Sequence, residues 1–265
     1  MNSKLFILTI IFSSVLCFCV FAQSEDNNKN EEKEIKVLSY NLRFGELASL
    51  EELASFINEQ NPDLVALQEV DFRTYRERAP HQNDKDFSTT LGYLTKMFPV
   101  YGKTIPYRNG LYGIAILSKY PLSKVERIYL PKTEHGKEQR AVLIADVEYE
   151  ENKFITFAST HLDYTNTFER RVQVQKLNEI FLSNQYPIIL AGDFNATPDS
   201  EEIESGMSDW IIASDLNPTI PADAPKKVID YIFCYPAKKW SIKYNKTYPI
   251  DLSDHLPISA TIIMK

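Results

Sequence analysis

From Ile35 onward, short apolar β-rich runs alternate with segments of helical period, and this alternation limits the chain's fold more than any other feature. Ile35-Lys36-Val37-Leu38-Ser39-Tyr40 reads as a strand. Leu47, Leu50, Leu53, Ala54 and Ile57 then recur at helical spacing and predict a helix over 46–60. Asn61-Pro62-Asp63 stops that helix, and Leu64-Val65-Ala66-Leu67-Gln68 is a second buried strand. Strand, helix and strand in this order form the unit of layered α/β folds. A helix is expected near 88–98, then strands over 113–117, 123–130, 140–149 and 153–159, whose direct succession implies antiparallel hairpins. A longer helix over 167–183 precedes an apolar strand at 187–191, and strands at 228–234, 240–244 and 257–263 close the chain. Two halves, each with helix and strands, suggest two sheets packed face to face with helices outside.

An apolar fraction of 44% with 25% charged residues belongs to a globular protein and excludes wholesale disorder. The 36 Asp+Glu outnumber the 29 Lys+Arg, so bulk charge argues against gripping nucleic acid, while a local basic groove stays open. The N-terminus is of another kind. Lys4, the apolar run Leu5 to Phe21 and the exit Val20-Phe21-Ala22 read as a signal peptide over residues 1–22. A retained membrane anchor is the alternative, because the run lies at the lower edge of a span. Neither Cys17 nor Cys19 follows the small residues of a lipoprotein site. Residues 23–34 form a polar tether, and residues 35–265 a single domain. Cleavage would leave Cys234 alone, without an internal disulfide, in a periplasmic or secreted monomer for which no protein partner is expected.

Polar residues recur at the strand ends, where open α/β sheets gather ligands. The first strand ends Ser39-Tyr40-Asn41-Leu42-Arg43 and the second Gln68-Glu69-Val70-Asp71. Ser159-Thr160-His161-Leu162-Asp163 and Gly192-Asp193-Phe194-Asn195 end two more; Ile229-Asp230-Tyr231 opens another, and Ser253-Asp254-His255 leads into the last. Hydrolysis of a phosphate ester needs a hard cation, held by few carboxylates plus water. Glu69, an acid after a buried apolar run, is the leading candidate, and Asn41 can add an oxygen or an amide donor. Asp193 and Asn195, two apart on an extended segment, share a side. An Asp such as Asp230 beside His255 would set the imidazole tautomer and stabilise its charged form.

Taken with Gln68-Glu69-Val70, Gly192-Asp193-Phe194-Asn195 and Ser253-Asp254-His255, the chain from Ile35 to Met264 resembles the endonuclease/exonuclease/phosphatase superfamily, the deoxyribonuclease I-like fold. The resemblance implies a four-layer α/β sandwich: two packed mixed β-sheets with helices on the outer faces. It implies a Mg²⁺ (or Mn²⁺) site at Asn41, Glu69 and Asp254, with Asp193 and Asn195 positioning water and phosphate. It also implies that Asp230 orients His255, as general base or as transition-state stabiliser, and that His161 donates a proton at the scissile phosphate. Thr160-His161-Leu162 resembles the sphingomyelinase, inositol-phosphatase and deoxyribonuclease I members, whereas AP endonucleases carry Tyr there. Many small bacterial relatives have Glu before the Tyr-Gly of Gly110-Leu111-Tyr112-Gly113; here it is Leu111, which leaves the partner of His161 open, with Asp163 as one candidate.

Arg140 can bind phosphate or form a structural ion pair. The loop over 72–86, with Arg73, Arg76, Arg78, His81 and Lys85 among several acids, is either an anion-recognition loop or a mixed solvated one. Tyr75, Tyr101, Tyr107 and Tyr112 can line a cleft or pack; His135 reads as surface and Cys234 as a buried apolar residue. The expected function is an exported phosphoric ester hydrolase acting on a phosphorylated small-molecule or lipid head-group substrate. A secreted nuclease acting on nucleic acid is the alternative. A binding module that had lost catalysis would have lost ligands or the Asp–His pair, and all are present.

Overall fold

The computed structural model describes residues 33–265. The expected signal peptide over 1–22, with Cys17 and Cys19, and the tether up to residue 32 lie outside the described residues. The chain runs β1 (Glu34–Asn41), α1 (Leu50–Gln60), β2 (Leu64–Phe72), α2 (Phe87–Thr95), β3 (Phe98–Tyr107) and β4 (Gly110–Ser118). It continues through β5 (Leu122–Tyr129), β6 (Ala141–Glu150), β7 (Lys153–His161), α3 (Thr167–Phe181) and β8 (Ile188–Asp193). The one-turn α4 (Glu201–Glu204), β9 (Ile211–Ile212), β10 (Asp230–Tyr235), β11 (Trp240–Thr247) and β12 (Ile258–Met264) complete it.

Two six-stranded sheets result, in the orders β11-β12-β1-β2-β4-β3 and β5-β6-β7-β8-β10-β9. Each is mixed in the same way, with one parallel pair, β1–β2 or β7–β8, among antiparallel neighbours. The parallel pairs are joined by α1 and α3, since parallel strands need a crossover. Side-chain alternation sorts the apolar residues into three layers. Val37, Ala66, Ile116, Leu143, Phe157 and Ala191 fill the space between the sheets. On the outer face of the first sheet, Leu38 and Leu67 pack with Leu53 and Ile57 of α1 and Leu91 of α2. On the outer face of the second, Ala158 and Leu190 pack with Leu177 and Phe181 of α3 and Ile203 of α4. The fold is the four-layer α/β sandwich expected from the resemblance.

Three local differences have physical causes. The first helix begins at Leu50, because Ser49 caps it: Ser49 Oγ accepts from the Glu52 N–H while Glu52 accepts from the Ser49 N–H. Residues ahead of the cap form a short 3-10 turn, Arg43–Gly45, and Leu47 is exposed despite its helical spacing. Strand β3 carries Pro99 and Pro106 and lies at a sheet edge, where a missing N–H costs no ladder bond. It joins β4 through Arg108 and Asn109, both at positive φ, the geometry of a two-residue hairpin turn. The short elements α4 and β9 also had no sequence signal.

Gly192 sets how closely the two strands of the second parallel pair approach. A Cβ there would stand 2.0 Å from the Thr160 carbonyl oxygen of β7. Gly192→Ala should therefore cost about 1–3 kcal/mol, seen as a Tm lower by about 3–10 °C in thermal unfolding. An unchanged Tm would show that the strand pair has slack the geometry denies.

Candidate active site

The ends of the parallel pairs meet. Asn41 closes β1, Glu69 lies near the end of β2, and His161 and Asp193 close β7 and β8 in register with each other. Asn41 Nδ2 donates to Asp193 Oδ2 at 3.1 Å and to Glu69 Oε1 at 3.3 Å, so one amide ties both sheets together. Its orientation is fixed, because Asn41 Oδ1 accepts from the Arg43 N–H at 3.0 Å. Of the two parts open to Asn41 in the sequence, oxygen ligand or amide donor, the structure shows the second. Ser253 Oγ donates to the Asn41 carbonyl at 2.7 Å, bringing the segment ahead of β12 onto the same centre.

Glu69 sits at positive φ, 55°, within the bulge between Leu67 and Val70 of β2. Bulges re-aim a side chain and recur beside active sites, and such a backbone costs of order 1–3 kcal/mol. Asn195 has φ 50° just past β8; its N–H donates to Asp193 Oδ1 at 2.9 Å and its Nδ2 to the Leu162 carbonyl at 3.2 Å. Antiparallel pairing sets Asp230 opposite Asp193 at the mouth of β10. Asp230 Oδ2 is 2.9 Å from His255 Nδ1 and accepts from Thr219 Oγ1 at 2.5 Å. Asp193 Oδ2 then lies 3.4 Å from His161 Nε2 and 3.7 Å from His255 Nε2, between two imidazoles.

Burial raises the Asp193 carboxyl above the usual carboxylate range, and Asp230 beside it adds to the rise, while His255 opposes it. Burial likewise raises Glu69. For His255 burial works downward, but Asp230 and Asp193 outweigh it and push the imidazole up to about 10. His161 is held well below its ordinary value by burial, then by Arg140 and His255. Arg140 is buried; it pairs with Glu138 at 3.0 Å, lies in the field of Tyr112, Glu69 and Asp193, and leaves its Nε without a partner. Both readings of Arg140 therefore coexist: an ion pair, and a buried donor left over beside two acids.

Asp254 is brought to the centre less directly. Arg43 Nη1 pairs with its Oδ2 at 2.7 Å, and Ser253 Oγ donates to its Oδ1 at 3.4 Å. Asp163 makes no hydrogen bond to His161 here, and its buried Oδ2 has no partner among the described residues. Its Oδ1 accepts from Thr165 N, Thr165 Oγ1 and Asn166 N, closing the turn into α3, and His161 Nδ1 has no partner among the described residues. Thr219 is a supporting residue that no sequence motif marked, and Ser253 and Arg43 lie within marked runs that gave them no role, because each acts through a contact made only in the folded chain.

The three arginines of the basic loop over 72–86 are each paired with an acid. Arg73 pairs with Asp84, Arg76 with the buried Asp71, and Arg78 with Glu46. Arg76 also lies over the rings of Phe44, Tyr107 and Tyr112 at 3.9, 4.4 and 5.2 Å, so two of the candidate cleft tyrosines hold an arginine instead. Tyr101 is bonded to the Val70 carbonyl and Tyr75 is exposed. His135 lies at the surface against Phe168, and Cys234 is fully buried.

The donor set fits a hard divalent cation. Glu69 and Asp193 are carboxylates joined through the Asn41 amide, and burial raises both by denying their ionised forms the solvation that such an ion would replace. Asp193, Asp230 and His255 form a buried group of ligand-type atoms within 4.8 Å of one another, although the Asp230–His255 hydrogen bond already satisfies two of the three.

The sequence model of the Endonuclease/Exonuclease/phosphatase family matches residues 38–255. The chain belongs to that family. Its members are hydrolases, often metal-dependent, and include phosphatases, nucleases and phosphodiesterases. The uncharacterized protein YbhP of Escherichia coli K12 is 27% identical over 256 residues, covering 89% of this chain and 98% of its own length. Among solved structures, an endonuclease/exonuclease/phosphatase of Beutenbergia cavernae superposes with a TM-score of 0.73 at 18% identity, covering 88% of this chain and 72% of its own. A mannosyl-6-phosphatase of Bacteroides thetaiotaomicron gives 0.69 at 15% identity, with 87% of this chain and 100% of its own covered. At these identities the structural likeness speaks for the fold alone.

Asp230→Asn should lower the His255 pKa from about 10 toward or below the ordinary 6.5, because burial is then opposed by Asp193 almost alone. The sign for stability follows. A raised folded-state value means that protonated His255 contributes stability fully below pH 6.5 and loses it as pH rises through about 10. The wild type's advantage over Asp230→Asn in Tm should be largest near pH 6 and shrink toward pH 10. A His255 resonance that titrates identically in both proteins would contradict the assignment.

Proposed function

We propose that the chain is an exported, divalent-metal-dependent phosphoesterase that hydrolyses a phosphodiester or phosphomonoester of a small or lipid head-group substrate. The observation that carries the reading is Asp193, one buried carboxylate set 3.4 Å from His161, 3.7 Å from His255 and 3.1 Å from Asn41. A carboxylate whose proton affinity is raised toward neutrality suits the orientation and deprotonation of water. Asn195 braces it through its backbone N–H and borders the space where the phosphate sits. His255, positively charged beside Asp230, stabilises the added negative charge of the in-line transition state. His161 is neutral in the free site; an anionic phosphoryl group beside it raises its pKa toward what a leaving-group proton donor needs. Arg140, with an unbonded buried Nε, binds a phosphate oxygen.

Glu69 is the residue that would hold Mg²⁺ or Mn²⁺, with Asn41 aligning its carboxylate and Asp254, steadied by Arg43, adding negative charge nearby. The ion supplies neutralisation of charge on the phosphoryl and leaving oxygens. A small substrate is favoured over a long nucleic acid because Arg73, Arg76 and Arg78 are each spent on an acid of the fold and leave no guanidinium rail along that loop. Export rests on the apolar run Leu5 to Phe21 and the small-residue exit at Ala22.

Hydrolysis of bis-p-nitrophenyl phosphate, sphingomyelin, inositol phosphates, nucleotides and plasmid DNA tests the reading. Chelation should abolish turnover and Mg²⁺ or Mn²⁺ restore it, and His255→Ala should lower kcat by about 10²–10⁴-fold. Turnover that survives chelation, or survives in His255→Ala, would contradict it. Rapid nicking of plasmid DNA with inert head-group esters would replace the small substrate by a nucleic acid.

A further inference from the structure

A second cavity, of about 680 Å³, opens beside Asn195. Its walls include Tyr164, Arg170, Asn195, Ser200, Lys226 and Lys227, and none of its lining residues is an Asp or Glu. That volume falls within the range of small-molecule sites, and the cationic lining is unusual in a chain whose net charge is −7. Arg170 is balanced by the buried Glu202 at 2.9 Å. Lys226 and Lys227 are exposed and have no ion pair among the described residues.

The cavity is joined to the catalytic centre on two sides. Asn195 braces Asp193 and also lines the cavity. Tyr164 lines it too, and the Arg140 guanidinium lies 5.8 Å from the centre of the Tyr164 ring. The lysines are held rather than loose. Lys226 N and Lys227 N both donate to the Ile220 carbonyl, at 2.9 and 3.1 Å, and Thr219 N donates to the Lys227 carbonyl at 2.8 Å. The same loop is pinned to the segment around His255, with Ala222 N on the Asp254 carbonyl at 2.8 Å and Leu256 N on the Thr219 carbonyl at 2.7 Å. The backbone that carries these two cations is thus fixed beside the place where the phosphate would be cleaved.

We infer that this cavity is a subsite for a second phosphate of the substrate, with Lys226 and Lys227 binding the anion and Tyr164 packing against the ring that carries it. This rests on the phosphoesterase reading and narrows its substrate class to ring-bearing esters with two phosphates. The second phosphate can belong to a head group or to the next unit of a short strand; the chemistry of recognition is the same.

The test compares inositol 1-phosphate, inositol 1,4-bisphosphate and 5′-phosphorylated thymidine dinucleotide as ligands of the metal-loaded protein. Binding is read by calorimetry and as inhibition of bis-p-nitrophenyl phosphate hydrolysis. In the wild type, one or both bisphosphates should bind about tenfold more tightly than the monophosphate, as two partly exposed ion pairs would give. In Lys226→Ala/Lys227→Ala that ratio should fall to near one. Lys238→Ala/Lys239→Ala, the same charge change at an exposed turn away from the cavity lining, should leave the ratio intact. Whichever bisphosphate shows the preference names its source. Equal binding of mono- and bisphosphates by the wild type, or a preference that survives in Lys226→Ala/Lys227→Ala, overturns the subsite. Failure of the wild type to hydrolyse any ester overturns the phosphoesterase reading instead, and calorimetry still reads the subsite.

Discussion

One contact joins everything else: the Asn41 amide, at the end of a strand in one sheet, donating to Asp193 at the end of a strand in the other. The two residues are 152 positions apart, so their meeting depends on the whole sandwich being closed. The apolar layer between the sheets supplies that closure, and the parallel pair at the centre of each sheet aims its polar strand ends at one edge. Beneath the site a further polar link, Gln68 Nε2 to Ser159 Oγ at 3.4 Å, crosses between the sheets where an apolar pair would have sufficed for packing. Gly192 belongs to the same requirement, since a methyl group there would force β7 from β8 and draw His161 away from Asp193.

Charge at the site is arranged as a set of unequal neighbours. Two acids, Glu69 and Asp193, are pushed toward protonation by burial, one imidazole is charged by Asp230, and the other is kept neutral. That separation is what the proposed division of acid, base and electrostatic parts among groups of the same two chemical types requires. The positive φ values at Arg43, Phe44, Glu69 and Asn195 lie around this site.

Much of this was readable in the order of residues. Apolar alternation marked most central strands, and polar residues at strand ends marked Asn41, Glu69, His161, Asp193, Asp230 and His255. What stayed hidden was set by contacts distant in sequence. Strand β3 was masked by Pro99 and Pro106, which are harmless only because that strand lies at an edge. The start of α1 was set by a cap at Ser49, against a periodicity that ran on to Leu47. Arg73, Arg76 and Arg78 of the 72–86 loop looked available for an anion until each found its acid, Arg78 across 32 residues at Glu46. Asp163, placed two residues from His161 by sequence, serves the turn into α3 instead. Lys226 and Lys227 had no motif, and their position follows from a loop tied back to the segment of His255.

The central claim is that residues of both sheets act as one catalytic unit. A double-mutant cycle on kcat/KM for bis-p-nitrophenyl phosphate, with Asn41→Ala from the first sheet and Asp193→Ala from the second, measures this directly. Groups that act as a unit give non-additive losses. The double variant should be no worse than about the poorer single variant; losses that multiply in full would show two independent contributions and contradict the account.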